Sequence, residues 1–403
     1  MTSTALSLRL AARMKTLAPS PMLKLAADAA RLRAEGRDVI SLATGEPDFD
    51  TPEHIQLAAI TAMRSGDTHY TAADGTPALK QAILRKFERE NGLIFTQDQV
   101  SVGSGAKQVI FNALAATVEA GDEVIVPAPF YPSYLEMTRM LGGSPVAVPG
   151  GPDFRLDPQA LEAAITPATR WLIFNAPGNP SGVAYSRLEL EAFAGVLRRH
   201  PHVWVMADDI YEHLLFVGSF LTLTQVALDL ADRILTVNGV SKAYCMTGWR
   251  IGYGAGPAAL VRAMSTVQSQ VISCPSSISQ AAAIAALDGP PEVVDELRAA
   301  FAIRRAGVVE ALNRIDGVCC PLPDGAFYVL PDVSALIGRR RPDGSPVTDD
   351  ADIAGWLIQD AGVVVVPGRE FGAPGHFRIS YAADVSLLDE ACRRIAVSLS
   401  RLG

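Results

Sequence analysis

The chain has little from which to build a cross-linked or metal-centred protein. Its five cysteines are odd in number and no two stand in a CxxC spacing, so neither a disulfide framework nor a zinc site is indicated. A reducing, cytoplasmic setting fits that usage best. The six histidines form no HExxH and no His/Cys cluster, which leaves no metal ligands to propose. No apolar run approaches the ~18 residues of a membrane span, and no secretory h-region is present. Positive charge is not in excess. Lys and Arg number 35 against 43 Asp and Glu, a net of −8, which argues against nucleic acid or an anionic membrane as the main partner. Acidic residues are absent from the first 27 positions, which carry Arg9, Arg13, Lys15 and Lys24. Either an organelle transit segment or an amphipathic helix on a neighbouring surface has that pattern.

What is present is an ordinary soluble composition, 403 residues with 49% hydrophobic and 19% charged, enough for two or three domains with a large core. Helical periodicity runs through 22–35, 55–65 and 77–91, the last ending in Asn-Gly as a C-cap should. Short β-type runs then alternate with helices: 100–102, 123–126, 145–148, 171–174, 203–207, 234–237 and 251–255. This alternation predicts an α/β fold with a mostly parallel sheet flanked by helices. Ligands in such sheets bind at the carboxyl ends of the strands, and the loops GSGAK, APFYPSY, NAPGNPSG, DDIY and GVSK all fall there. Past about Ser273 a long helical region, 277–313, leads to strand-like 326–330, 363–366 and 377–380. The turn-rich segment 338–350 reads as an exposed excursion. We expect a large domain over residues 45–290, and a smaller α+β domain from 1–44 with 291–403.

The stretch TVNGVSKAYCMTGWRIG, 236–252, sets Lys242 behind a strand and Arg250 eight residues on. A desolvated lysine near another cation loses its proton readily and can form a Schiff base with an aldehyde, while an arginine fork can hold a phosphate. A surface Lys and Arg on a loop is the bland alternative. Gly105 and Ala106 open a helix whose first amides could cradle that phosphate, or simply make a tight turn. Asp208, at the end of a strand, could pair with a protonated ring nitrogen or cap a helix; Asp209 competes for the role. Tyr211 and Asn179 could bond a phenolate oxygen, although NAPGNPSG is also an ordinary turn. Tyr131 offers a face on which a flat ring could stack, or is a core aromatic. Arg378, a lone guanidinium in the apolar run FRIS, suits a substrate carboxylate or a salt bridge. Gly45 could bring its backbone close to that carboxylate, or serve turn geometry alone.

Ten segments occur in one order: GEPDFDTPEHI, HYTAADGTPALK, GAKQVIFN, GDEVIVPAPFYPSY, NPSG, DDIYEHL, VNGVSKAYCMTGWRIGY, DGAFYVL, VVPG and FRISYA. With them the chain, from about Met14 onward, resembles the class I pyridoxal-phosphate aminotransferases of fold type I, in their bacterial aspartate aminotransferase-like branch. The resemblance implies a ping-pong transfer of an amino group between an L-amino acid and a 2-oxo acid. Lys242 would hold pyridoxal phosphate and move the proton, Asp208 would pair with the ring nitrogen, and Asn179 and Tyr211 with the phenolate oxygen. Arg250 with the backbone of Gly105, Ala106 and Lys107 would hold the phosphate, and Tyr131 would stack on the ring. Arg378 and Gly45 would take the α-carboxylate, beside Asn179 and Tyr131. Tyr70 would reach the neighbouring subunit's cofactor, which makes a homodimer the expected unit.

The departures concern specificity. The stretch 267–279 lacks the arginine with which some relatives read a side-chain carboxylate. Of the basic residue, threonine and lysine that this branch uses instead, only Lys107 is matched; Ala18 and Met22 stand at the other two positions. Aspartate or glutamate and neutral or aromatic donors therefore both stay open. Other fates of the same chemistry, such as β-elimination, are the nearest alternative activity. A non-catalytic regulatory module is the remote one, disfavoured because Lys242 and Asp208 are present and only about 44 residues precede Gly45.

Overall fold

The structure, a computed structural model, describes residues 9–15, 17–19 and 21–403. Its strands are β1 (Ile40–Ser41), β2 (Val100–Gly103), β3 (Glu123–Ala128), β4 (Ser144–Pro149), β5 (Thr169–Asn175), β6 (Trp204–Asp208), β7 (Ile234–Gly239), β8 (Gly252–Ala255), β9 (Tyr328–Val329), β10 (Val363–Val364), β11 (Val366–Pro367) and β12 (Phe377–Ser380). A seven-stranded sheet runs in the order β2-β8-β7-β6-β5-β3-β4. Every pairing in it is parallel except the two made by β8.

The central strands of this sheet are buried on both faces, which is why they read as apolar runs, whereas the edge strand β4 is mostly exposed or half-buried. Val124, Val126, Trp171, Ile173 and Met206 enter one hydrophobic cluster. Their neighbours Ile125, Leu172, Phe174, Val205 and Ala207 enter another, as the two-residue period of a strand requires. The helix Pro77–Asn91 begins at Thr76, whose hydroxyl accepts from the amide of Leu79 at 3.2 Å, and ends at Gly92 in the left-handed region. A second body of sheet, β11-β12-β9, is antiparallel, and β1 pairs in parallel with β10. Ile40 and Leu42 thereby join a core cluster otherwise drawn almost wholly from residues beyond 297, together with Ile210, Tyr211 and Leu214.

Three details differ from the sequence reading. The helical region 277–313 is two helices, Ser277–Leu287 and Glu292–Asn313, broken where Gly289, Pro290 and Pro291 cannot sustain the ladder. The run 363–366 is split between β10 and β11, which pair with different partners. The strand at 252–255 is antiparallel to its neighbours. No helix among the described residues is long and apolar enough to cross a membrane.

β8 is also what brings the phosphate-type loop and the lysine loop together. Gly103, Gly252 and Gly239 lie in register across β2, β8 and β7. A Cβ on Gly252 would stand 2.1 Å from the amide nitrogen of Ala106 and 2.4 Å from the carbonyl carbon of Gly105. Backbone cannot yield as a flexible side chain does. Gly252→Ala should cost about 1–3 kcal/mol, read as a lower urea midpoint with an unchanged slope, and should open the 105–106 turn. A midpoint equal to that of the wild type would mean that the strand and turn are not held this closely.

Candidate active site

The carboxyl ends of β2, β3, β5, β6 and β7 meet at a cavity of about 370 Å³. Gly45, Ala106, Lys107, Tyr131, Asn179, Asp208, Tyr211, Lys242, Arg250 and Arg378 all line it. Ten of the residues singled out from sequence are thus brought together. Gly105 sits at its edge as the N-cap of the helix Ala106–Thr117; no side chain caps that helix, so its first amides are left for a ligand. The Arg250 guanidinium lies against Gly105, where a Cβ would meet Nη2 at 2.3 Å, and Nη1 donates to the Thr247 carbonyl at 2.9 Å. Tyr70 is the exception. It stands 89% exposed, in a surface depression with Thr68, His69 and Cys274.

Burial shifts the two central titratable groups in opposite directions, as it must for a cation and an anion. Lys242 donates to the carbonyl of Gly45 at 2.7 Å. Desolvation, aided by the charges of Arg250 and Arg378 and opposed by Glu46, pulls its amine down to about 8. Asp208 is 4% exposed, and burial pushes its carboxyl up to about 6. The Tyr134 hydroxyl opposes that shift by donating to Oδ2 at 2.6 Å, whereas Oδ1 receives only a long contact, 3.4 Å, from the amide of Ile210. Asp209, the competitor, is buried away from the cavity, and burial holds its carboxyl well above the usual range. Burial holds the Tyr211 phenol protonated, far above the usual tyrosine range.

Arg378 is 1% exposed and has no acidic partner among the described residues. The salt-bridge alternative is thereby removed. Nη1 donates to Asn179 Oδ1 at 3.0 Å and Nη2 to the carbonyl of Ala43. Nε has no hydrogen-bond partner among the described residues, and the ring centres of Tyr328 and Phe371 lie 4.5 and 4.8 Å from the guanidinium carbon. The segment 43–51 is fastened on several sides. Arg304 grips Asp48 with two hydrogen bonds of 2.6 and 3.0 Å, Thr247 bonds Glu46, and Thr51 bonds the carbonyl of Cys245 at 2.7 Å. Gly45 has no room for a side chain, because a Cβ would fall 2.1 Å from the Tyr328 hydroxyl.

Tyr134, Asn175 and Tyr328, which no sequence motif singles out, also line the cavity. Asn175 ties two loops together, giving its amide to the Asp208 carbonyl at 2.7 Å and accepting from the amide of Asn179 at 2.9 Å. Tyr134 follows Tyr131 by three residues, and the rings meet edge to face at 5.5 Å; helical spacing was the available signal. Of the two specificity positions, Ala18 is exposed outside the cavity and its amide donates to Glu136 at 3.1 Å. The side chain of Met22 lies outside the described ones. Lys107 is exposed at the cavity wall, 5.2 Å from the centre of the Tyr131 ring. Elsewhere Glu90, Glu212 and His213 are close enough to share a cation, but the buried ammonium of Lys86 already pairs with both carboxylates.

The cavity therefore offers an amine of lowered pKa, a carboxylate with one oxygen open, a phenol donor, a buried guanidinium and a helix N-terminus beside an arginine. That donor set fits a flat, nitrogen-containing aldehyde bearing a phosphate. Residues 37–395 match the family described as aminotransferase class I and II. The chain is 55% identical to an aspartate/prephenate aminotransferase of Cereibacter sphaeroides over 380 residues, 94% of this chain and 95% of that one. It superposes on the crystal structure of the aspartate aminotransferase from Rhizobium meliloti with a TM-score of 0.96 at 49% identity, covering 98% of this chain and all of that one. The aspartate aminotransferase from Thermus thermophilus with maleate gives a TM-score of 0.90 at 41% identity, covering 97% and 100%.

Removing the hydroxyl that steadies Asp208 tests the electrostatics directly. In Tyr134→Phe the carboxyl should titrate above its present value of about 6, because burial would then act with less opposition. Infrared titration of the carboxyl band in the cofactor-free protein reads this, and an unmoved band would mean that the 2.6 Å contact carries no charge stabilisation.

Proposed function

The chain belongs to the class I and II aminotransferases, and from that premise we propose that it takes the amino group of aspartate or glutamate, with Lys242 as the base and Arg378 as the carboxylate fork. It is a pyridoxal-phosphate-dependent aminotransferase, working in two half-reactions, amino donor in and oxo acid out, then the reverse. The observation that carries the assignment of roles is a single cavity holding an amine depressed to about 8, a buried carboxylate raised to about 6 and a buried guanidinium with no acidic partner among the described residues.

Bound pyridoxal phosphate supplies an aldehyde carbon for the amino group and an electron-poor ring that accepts the electron pair left when Cα loses its proton. Lys242 would hold the aldehyde carbon, Asp208 the ring nitrogen, and Asn179 and Tyr211 the phenolic oxygen. Arg250 and the amides at Gly105, Ala106 and Lys107 would hold the phosphate, with Tyr131 against the ring. An amine near pKa 8 is neutral in a useful fraction of molecules close to neutral pH, so Lys242 would be able to take the Cα proton and to return it to the former aldehyde carbon, across the nitrogen. The Arg378 fork, beside the Gly45 backbone, would orient the α-carboxylate within the cavity that Lys242 also lines. Residues 1–44 and 291–403 would form a small domain that closes over 45–290 and excludes water.

Acidic donors are favoured by two observations. The relatives above are named for aspartate, and Lys107 stands at the cavity wall with no ion pair among the described residues. It would meet the distal carboxylate, unaided at the positions of Ala18 and Met22. The exposed Tyr70 belongs with a homodimer in which it enters the partner's site, and the cytoplasm is the compartment that suits the cysteine usage.

Adding amino acids singly to the loaded protein, while the visible absorbance of the lysine-held cofactor is followed, tests the reading. Aspartate and glutamate should convert it at least roughly tenfold faster than alanine or phenylalanine; the reverse order would make the pocket an apolar-donor site. Lys242→Ala should lose turnover by about 10²–10⁴-fold or more, and near-normal steady-state activity would remove Lys242 from the role. Arg378→Lys should raise KM for both amino and oxo acid by about 10–100-fold, the worth of a lost charge-assisted fork. Unchanged KM values for both would assign the carboxylate to another group.

A further inference from the structure

We propose that Tyr328 is a positioning residue that couples the two halves of the site. Its hydroxyl donates to Tyr211, so that Tyr211's own proton is free for the cofactor, and its ring holds the guanidinium of Arg378. The proposal rests on the roles given above to Tyr211 and Arg378.

Tyr328 and Tyr211 are 1% and 3% exposed, and their oxygens lie 2.8 Å apart with either able to donate. Each phenol has one proton. If Tyr211 gave its proton to Tyr328, it would have none for an acceptor in the cavity that both residues line. If Tyr328 gives, Tyr211 becomes the middle of a donor chain ending on the ligand, and such chains strengthen each link. An anionic ring oxygen in the cavity selects the second arrangement. The Tyr328 proton has no competing acceptor side chain within hydrogen-bond reach among the described residues, since its hydroxyl otherwise abuts Gly45.

The same residue reaches the carboxylate end through strand register. Tyr328 on β9 stands opposite Ser380 on β12, and Arg378, two residues from Ser380, shares that face. A diagonal neighbour is within reach of an aromatic ring, and the ring centre is 4.5 Å from the guanidinium carbon. Tyr328 thus touches both the residue that would take the substrate carboxylate and the residue that would bond the cofactor.

The two contacts separate by substitution. Tyr328→Phe removes the hydroxyl and keeps the ring; Tyr328→Leu removes both. The readouts are the pH midpoint of the visible absorbance of the lysine-held cofactor and the dissociation constant of maleate, an unreactive dicarboxylate. A ring oxygen that loses part of its donor grows more basic, so the midpoint should rise in Tyr328→Phe, as in Tyr211→Phe but by less. Besides Tyr328 itself, the charged and titratable groups facing the Tyr211 hydroxyl are Arg378 and Asp208, and Tyr328→Phe leaves both in place. Maleate should bind Tyr328→Phe within about threefold of wild type and Tyr328→Leu roughly tenfold more weakly, the scale of a desolvated cation–π contact. Adding Tyr328→Phe to Tyr211→Phe should move the midpoint no further, because the effect passes through Tyr211. An unmoved midpoint in Tyr328→Phe, or an additive shift in the double variant, overturns the coupling. Should Tyr328→Phe not fold, Tyr328→Leu must show the same upward shift. If Tyr211→Phe itself leaves the midpoint unmoved, the role given to Tyr211 fails, and the coupling with it.

Discussion

A guanidinium taken out of water without a carboxylate beside it is one of the more costly things a fold can contain. Arg378 is held in that state by a carbonyl, an amide oxygen and two aromatic faces. These partners leave the positive charge uncancelled and Nε unused. The site is therefore incomplete in the electrostatic sense, and a carboxylate bound there would supply what is missing. Asn179, Ala43, Tyr328 and the segment around Gly45 all take their places around that one charge. The same dry surroundings lower Lys242 and raise Asp208, so one physical cause prepares an amine that can accept a proton and a carboxyl poised to share one.

Holding these groups at working distance falls to backbone more than to side chains. Five parallel strand ends deliver the loops to one edge, and the antiparallel β8 closes the arrangement by laying Gly252 against the turn at Gly105 and Ala106. Ile210 and Tyr211 belong to the core cluster built mainly from residues beyond 297. The loop that carries Asp208 is consequently packed into the C-terminal part of the chain. Any motion of that part relative to the large sheet must be felt at Tyr211. Asn175 spans the other direction, joining the Asp208 loop to the Asn179 loop through hydrogen bonds made by one side chain.

Much of this was legible in the sequence because residues of unusual chemistry sit at predictable places. Lys242, Asp208, Asn179 and Tyr131 each follow an apolar run, and Arg378 interrupts one. Polarity in such positions is conspicuous. Tyr328 was hidden for the opposite reason: in AFYVL it looks like any buried aromatic, and only the register with Ser380 shows which ring reaches Arg378. Tyr134 was overshadowed by Tyr131 in the same short motif. The direction of β8 could not be read, since a glycine-rich apolar run is the same in either orientation. The break at Gly289, Pro290 and Pro291 did carry a signal, and helical periodicity on both sides outweighed it.

Four cations line the cavity, and their allotment bears on what the site admits. Arg378 is buried with no acid beside it among the described residues, Arg250 lies against the turn that opens a helix, and Lys242 contacts Gly45. Each has a neighbour that fixes its direction. Lys107 differs: it is exposed, and the π face of Tyr131 is the contact that restrains it. A point charge on a flexible stem over an aromatic ring can swing toward a carboxylate or lie back to let an apolar side chain pass. A rigid arginine fork at the same place would exclude the second option. A lysine there would attract an acidic side chain while still admitting a bulkier or neutral one, which would suit a transaminase because one pocket must receive two different side chains in turn.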